Sequence, residues 1–182
     1  MEPHHFFETE RLILRPTNLE DASFLLKVLN TPKWLQFIGD RAVHTIEQAE
    51  EYILTRIKPQ QDRLGYSNFT VIRKEDQVKM GFCGLYDREG VEGLDIGFAY
   101  LPAFEGKGYG TEAAKEMMRA GFEDFEASEI SGITVEENIA SRKLMEKLGM
   151  GFQKRINLPN DPVELLLYYI SRKTYDDLHQ KE

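Results

Sequence analysis

Residues 94–118 read LDIGFAYLPAFEGKGYGTEAAKEMM, and they determine how the rest of the chain is arranged. Positions 94–101 have the apolar character of a strand, and a helix-like pattern begins at Thr111. Between them, Gly106, Gly108 and Gly110 let the backbone approach a ligand closely. The amides of the first helical turn lack intrahelical partners and point toward that ligand. The loop is therefore predicted to bind an anion.

The glycine loop fits neither common nucleotide-binding motif. It lacks the Lys-Ser or Lys-Thr ending of a mononucleotide P-loop, and its glycines are too closely spaced for the dinucleotide fingerprint. A second segment adds to the signal, because the strand-like residues 131–135 precede a helical stretch that reaches Leu148. Asn138 is suited to cap this helix, and Gly149 to end it in the left-handed conformation.

This order of strand, glycine loop, helix, strand, Asn, helix and Gly resembles the Gcn5-related N-acetyltransferase (GNAT) superfamily. The resemblance is to the branch that includes the ribosomal-protein N-terminal (RimJ/RimL-like) acetyltransferases. It is carried by residues 9–16 (TERLILRP), 96–98 (IGF), 106–113 and 138–149. It implies an α/β (α+β) fold with a mixed, mostly antiparallel central sheet, helices on both faces and a splayed strand pair at the cofactor site.

The resemblance also implies that acetyl-coenzyme A is the cosubstrate, and no metal is implied by the sequence. In relatives, the glycine loop binds the pyrophosphate, the pantetheine arm pairs with the preceding strand, and the Asn bonds that arm. The Asn is also a helix cap, and one side chain can serve both roles. The residues implied to bind the cofactor are Phe98, Ala99, Leu101, Gly106, Lys107, Gly108, Gly110, Thr111 and Asn138.

Two departures from the family pattern affect the chemistry. Glu105 stands where relatives carry Gln, Arg or Trp, and a carboxylate beside a pyrophosphate is unfavourable unless it points to solvent. Met145 replaces the Tyr that protonates the leaving thiolate in many members, and a thioether has no proton to donate. In some members of the branch that this chain resembles, a serine is proposed to protonate the thiolate. The resemblance therefore makes Ser141, one turn after Asn138, the candidate acid, with an ordinary surface serine as the alternative.

The implied reaction is direct attack of an amine on the thioester. An α-amino group has a pKa of about 7.7–8.0 and a lysine about 10.4, so an N-terminal amine needs only a weak base or a water relay. Asp95 is the candidate base, or a hydrogen-bonded carboxylate that orients a cation, and Glu136 and Glu137 are further candidates or solvated loop charges.

Trp34 and Phe37 lie between the first two predicted helices, where the superfamily forms much of its acceptor site. They are interpreted as an acceptor wall or as a cap over the core. The most plausible acceptor is a protein N-terminal amine, and a small-molecule amine is the nearest alternative. A noncatalytic acyl-coenzyme A sensor is the alternative from another class.

Length and composition set broad limits. With 182 residues and 41% hydrophobic residues, the chain is expected to form one domain, 1–182. The net charge of −8 argues against nucleic acid and suits a basic partner, although it equally serves solubility. Neither a leader nor a membrane segment is recognisable, so a cytoplasmic protein is expected. Cys83 is the only cysteine, and the four histidines lack metal-ligand spacing.

Several local elements follow from capping patterns. Asn18 and Thr45 each open a predicted helix, and the second is expected to bury Ile46 and to end before Pro59. Two runs around 69–73 and 78–85 predict a hairpin. The apolar run at 164–170 predicts the last strand, and an apolar final strand in a splayed sheet is compatible with a homodimer.

Overall fold

The computed structural model describes residues 6–179; the first five residues, on which the expectation of no leader partly rests, lie outside this range. Its eight strands form one sheet in the order β1-β2-β3-β4-β5-β6-β8-β7. Only β5 and β6 pair in parallel; all other neighbours are antiparallel. The strands are β1 (Phe7–Glu8), β2 (Leu12–Pro16), β3 (Asn68–Arg73), β4 (Lys79–Tyr86), β5 (Leu94–Tyr100), β6 (Glu129–Thr134), β7 (Gly151–Asn157) and β8 (Glu164–Ser171). The expected mixed, mostly antiparallel sheet is confirmed.

Helices cover both faces of the sheet. They are α1 (Ala22–Leu29), α2 (Pro32–Phe37), α3 (Ile46–Tyr52), α4 (Lys58–Leu64), α5 (Tyr109–Glu123), α6 (Ile139–Lys147) and α7 (Arg172–His179). Apolar residues of α5, α6 and α7 pack with the sheet in one buried cluster, and those of α1 and α3 form a second cluster with Phe82. Within residues 6–179, no helix is both long and apolar enough to cross a membrane.

The parallel contact between β5 and β6 is short. The register contains only Leu94 opposite Ile130 and Asp95 opposite Ser131, after which the two strands separate. The central sheet is therefore open along most of β5, as the resemblance predicts. Because side chains alternate along a strand, Asp95, Gly97 and Ala99 face α1 and α3, whereas Ile96, Phe98 and Tyr100 face α5.

The capping patterns are confirmed, but one helix end is wrong. Asn18 and Thr45 both form capping boxes. Ile46 is 46% exposed instead of buried. The chain also does not stop before Pro59, because a π-helical turn, Ile53–Ile57, leads directly into α4. Pro59 stands in the first turn of α4, where its missing N–H is not needed.

Helix α2 was not predicted. Thr31 caps it by accepting a hydrogen bond from the Trp34 amide, and Pro32 occupies its first position. The Thr-Pro pair is a recognisable helix start, but six residues are too few for an apolar period to emerge.

The predicted hairpin between β3 and β4 and the last strand β8 are confirmed. Strand β8 is interior, however, since it lies between β6 and β7, so it offers no exposed edge for a dimer.

Candidate active site

The glycine loop lies at the N-terminus of α5, the 15-residue helix at the centre of one sheet face. Gly106 and Gly108 have φ values of +71° and +83°, which side chains rarely adopt. A Cβ on Gly106 would meet nothing within 4 Å, so the loop stands open. The free amides of this helix end therefore form a cradle for an anion.

Arg11 and Glu112 fix the loop to the start of the sheet. Arg11 donates from Nε to Glu112 Oε2 at 2.7 Å and from Nη1 to the Lys107 carbonyl at 3.2 Å. Thr9 Oγ1 donates to Glu112 Oε1 at 2.6 Å. The Arg11 guanidinium also lies 4.4 Å from the centre of the Tyr109 ring. The conformation of the loop thus depends on the connection between β1 and β2, about one hundred residues earlier in the chain.

A groove of about 470 Å³ runs beside the cradle. Its lining consists of Gly108, Thr111, two lysines and two glutamates, Lys115, Lys147, Glu10 and Glu112. Because Glu112 is ion-paired with Arg11, the two lysines and the free helical amides favour an anionic ligand. The sequence singled out neither lysine, because α5 and α6 come together only in the folded chain.

The splay between β5 and β6 exposes a backbone edge. Leu101 donates its N–H to the Met80 carbonyl at 2.9 Å, so its amide faces β4. Antiparallel alternation gives Ala99 the same direction and turns the backbone groups of Phe98 and Tyr100 toward β6. Beyond Asp95 the register contains no further pair with β6. The backbone groups that an extended ligand arm could pair with are therefore those of Phe98 and Tyr100, and the placement of Ala99 and Leu101 beside the cofactor stays a prediction.

The N-terminus of α6 faces this opening with two free polar groups. Asn138 Oδ1 accepts the Ser141 amide at 3.2 Å, which confirms the capping role. Within the described residues, neither Asn138 Nδ2 nor Ser141 Oγ has a hydrogen-bond partner. Both remain available to a ligand. Met145, in contrast, is 1% exposed in the core beneath Gly132 and supplies no group to the site.

Asp95 lies where β5 and β6 part, and it is 1% exposed. The Nε of Arg88 donates to its Oδ2. Burial raises the pKa of the Asp95 carboxyl above its ordinary value, and the charge of Arg88 opposes that effect. Its other oxygen, Oδ1, is buried and has no hydrogen-bond partner among the described residues. The ion pair agrees with the orienting alternative for Asp95, and both roles stay predictions. Glu136 is similarly engaged, because Arg155 Nη2 lies 2.9 Å from its Oε2 at the surface.

The aromatic pair of α2 lies at the rim of the second core cluster. Trp34 is partly buried against that cluster, and its Nε1 is a buried donor without a partner among the described residues. Phe37 is partly exposed. The packing of the Trp34 ring on the core agrees with the alternative of a cap over the core, and the acceptor wall stays a prediction.

Lys33 of α2 forms an ion pair with Glu105, directly before the cradle. The carboxylate that departs from the family pattern therefore has a cationic partner from a different part of the chain. The pair links the segment of the expected acceptor wall to the glycine loop. Besides the two lysines, sequence reasoning missed Arg11 and Lys33, whose partners are distant in the chain. It also missed Arg88, which pairs with Asp95 seven residues away, and the unpaired backbone of Tyr100.

No group of three or more His, Cys, Asp or Glu in the described range is placed to hold a metal ion. The arrangement offers a cradle for phosphates, a backbone edge for an extended arm, and free donors on Asn138 and Ser141. These features fit acetyl-coenzyme A, which carries a pyrophosphate at one end of an amide-containing arm.

Comparison with known proteins also indicates an acetyltransferase. A family profile described as acetyltransferase (GNAT) domain matches residues 11–151. The uncharacterized N-acetyltransferase p20 of Bacillus licheniformis is 30% identical, covering 80% of this chain and 81% of that protein. A GNAT acetyltransferase structure from Bacillus anthracis is similar with a TM-score of 0.77 at 23% identity, covering 93% and 99% of the two chains. The ribosomal-protein-S5-alanine acetyltransferase of Vibrio fischeri gives 0.76 at 16% identity, covering 94% and 98%.

Proposed function

Since this chain belongs to the acetyltransferase (GNAT) family, we propose that it transfers the acetyl group of acetyl-coenzyme A to the N-terminal amine of a protein. Its membership makes it an N-acetyltransferase, so the alternative of a noncatalytic sensor is not retained. The observation that carries the cofactor assignment is the open edge of β5 next to the glycine cradle.

In this proposal, the amides from Gly106 to Thr111 hold the pyrophosphate, with Lys107 contributing its backbone and Lys115 and Lys147 their charge. Phe98 and Tyr100 pair with the pantetheine arm, and Asn138 Nδ2 donates to one of its carbonyl oxygens. Acetyl-coenzyme A supplies the activated thioester. The orientation of these groups is set by the strands and the two helix starts, so little ordering is required on binding.

Ser141 Oγ is the group that donates a proton to the departing sulfur. It lies one turn into α6 on the side of Asn138, and it has no competing partner within residues 6–179. Asp95 orients Arg88 and does not abstract the proton. An α-amine with a pKa of about 7.7–8.0 is partly neutral at physiological pH, so water is a sufficient base.

Two considerations support a protein acceptor. The net charge of −8 attracts basic protein segments by long-range steering. The low pKa of an α-amine also matches a site in which two of the candidate bases, Asp95 and Glu136, are already ion-paired. A relative of similar fold is named for the acetylation of a ribosomal protein, and we extend that acceptor class to this chain as part of the proposal.

The cofactor part is tested by calorimetry with a matched pair of variants. Gly108 and Gly65 have nearly equal φ values of +83° and +80°, so Gly108→Ala and Gly65→Ala carry a similar backbone strain of about 1–2 kcal/mol. The two variants differ in that the new Cβ lies 3.3 Å from Arg11 Nη2 at Gly108 and meets nothing within 4 Å at Gly65. Only Gly108 belongs to the cradle. We expect acetyl-coenzyme A binding to weaken strongly in Gly108→Ala and to stay at the wild-type level in Gly65→Ala. Equal binding by both variants would overturn the assignment.

The acceptor part is tested with peptides that begin with Ala, Ser or Met, compared with free primary amines. Mass spectrometry then locates the acetyl group on the α-amine or on a side chain. We expect α-amine acetylation. Transfer to free amines alone, with no peptide modified, would show a small-molecule acceptor instead.

A further inference from the structure

Arg88 lies at the point where the two central strands part, on the sheet face covered by α1 and α3. It follows β4 by two residues, and its Nε is bound to the fully buried Asp95. Its guanidinium lies 5.8 Å from the centre of the Tyr86 ring and close enough to Tyr52 of α3 for electrostatic interaction. The head group is thus held in place on several sides.

The outer part of this side chain is nevertheless unused. Arg88 is 34% exposed, and within the described residues its terminal nitrogens Nη1 and Nη2 have no hydrogen-bond partner. A guanidinium carries five N–H donors in a rigid plane, and Asp95 engages only the one on Nε. The guanidinium is therefore fixed through Nε, and its two Nη groups remain available to bind a ligand.

The geometry and charge of the free Nη groups, which form a fork of paired N–H donors, limit the ligands that Arg88 can bind. Paired N–H groups suit a carbonyl or carboxylate oxygen, and a positive charge repels an amine that carries further positive charges. In an α-aminoacyl group, the reacting nitrogen is separated from a carbonyl oxygen by only two carbon atoms. A simple alkylamine or a polyamine presents no such oxygen.

We propose that Arg88 is a specificity-determining residue that binds the carbonyl or carboxylate oxygen adjacent to the acceptor amine. The acceptors are therefore α-amino-acyl compounds, such as protein N-termini, rather than alkylamines or polyamines. This inference rests on the proposed function and narrows its acceptor class. Asp95 is the positioning residue that fixes the direction of the guanidinium.

The test uses two small amines that share the CH3–CH(NH2) group, L-alaninamide and sec-butylamine, of which only the first has a carbonyl. Values of kcat/KM are expressed per neutral amine, because the two amines differ in pKa. In Arg88→Gln, we expect a fall of about 10- to 100-fold for L-alaninamide, the usual range for a hydrogen bond to a charged group. For sec-butylamine we expect a change of less than about three-fold.

Three controls accompany this measurement. Arg63→Gln removes an exposed ion pair with Asp87, the neighbour of Arg88, and should leave both amines unaffected. Arg88→Lys retains the charge opposite Asp95 but lacks the fork, so it should lose much of the preference for L-alaninamide while remaining folded. Acetyl-coenzyme A affinity should be unchanged in all three variants.

Equal losses for both amines in Arg88→Gln and Arg88→Lys would overturn the inference, because they would indicate a structural role. If L-alaninamide turnover depends on Arg88 but no peptide is acetylated, the inference stands and the protein acceptor of the proposed function fails. Acetylated peptides whose turnover is independent of Arg88 would give the opposite result.

Discussion

The ion pair between Lys33 and Glu105 predicts how strongly the cradle depends on α2. In the wild type, Lys33 offsets a carboxylate that stands directly before the phosphate-binding loop. Replacing Lys33 by Ala leaves that negative charge without a counter-ion. We therefore expect Lys33→Ala to weaken acetyl-coenzyme A binding, and the added change Glu105→Gln to restore it.

The size of the effect follows from exposure. The two side chains are 54% and 31% exposed, so the pair belongs to the class worth about 0.2–1 kcal/mol. This corresponds to a Kd change of about 1.4- to 5-fold for Lys33→Ala. The effect should disappear near 1 M salt, where the screening length is about 3 Å.

The assay is calorimetric titration of acetyl-coenzyme A into wild type, Lys33→Ala, Glu105→Gln and the double variant, at low and high salt. Lys58→Ala is the matched control, since Lys58 forms a similarly exposed pair with Asp62 on α4. If Lys33→Ala weakens binding equally with Glu or Gln at position 105, Lys33 acts on the cofactor directly and the neutralisation argument is refuted.

Three further outcomes are expected. Ser141→Ala should lower kcat at saturating substrates by about 100-fold without changing the melting temperature, and unchanged turnover would remove Ser141 as the acid. Asp21→Ala should cost about 3–5 kcal/mol in a denaturant titration, because it leaves the cations of Arg15 and Lys79 without their buried partner. Burial raises the pKa of Glu112, but hydrogen bonds from Thr9 and Arg11 outweigh it and hold the pKa below its ordinary value. Its contribution is therefore complete above about pH 4.5 and is lost as the pH falls through the folded-state pKa, so the wild type should lose more stability on acidification than Glu112→Gln.

The sequence predicted those features whose determinants lie close together in the chain. The capping boxes at Asn18 and Thr45 and the cap at Asn138 each need only four consecutive residues. The end of the second helix was wrong because Pro59 is an interruption only in a continuous α-helix. The π-helical turn before it changes the backbone hydrogen-bonding pattern of the helix. The residue types of Ile53–Ile57 do not predict that turn.

The candidate site was predictable in part for the same reason. The glycine loop and the α6 start are local motifs, whereas the electrostatic partners are not. Lys33 and Glu105 are 72 residues apart, and Arg11 and Glu112 about one hundred. Arg88 and Asp95 are only seven apart, but their pairing depends on a hairpin whose register places both at the parting of β5 and β6. In the sequence, Asp95 is a candidate general base. Its contacts in the folded chain favour a role in orienting Arg88.

The splay of β5 and β6 also bears on aggregation. An unpaired strand edge at the surface of a sheet is a template for the edges of other chains, and proteins usually protect such edges with charges or bulges. Here the unpaired edge at Phe98 and Tyr100 lies inside the sheet, opposite β6, with the strands joined at Asp95 and Ser131. A cleft between two strands admits a single narrow chain and excludes a second folded sheet. The unpaired backbone groups of β5 can therefore bind a ligand without promoting edge-to-edge association between molecules.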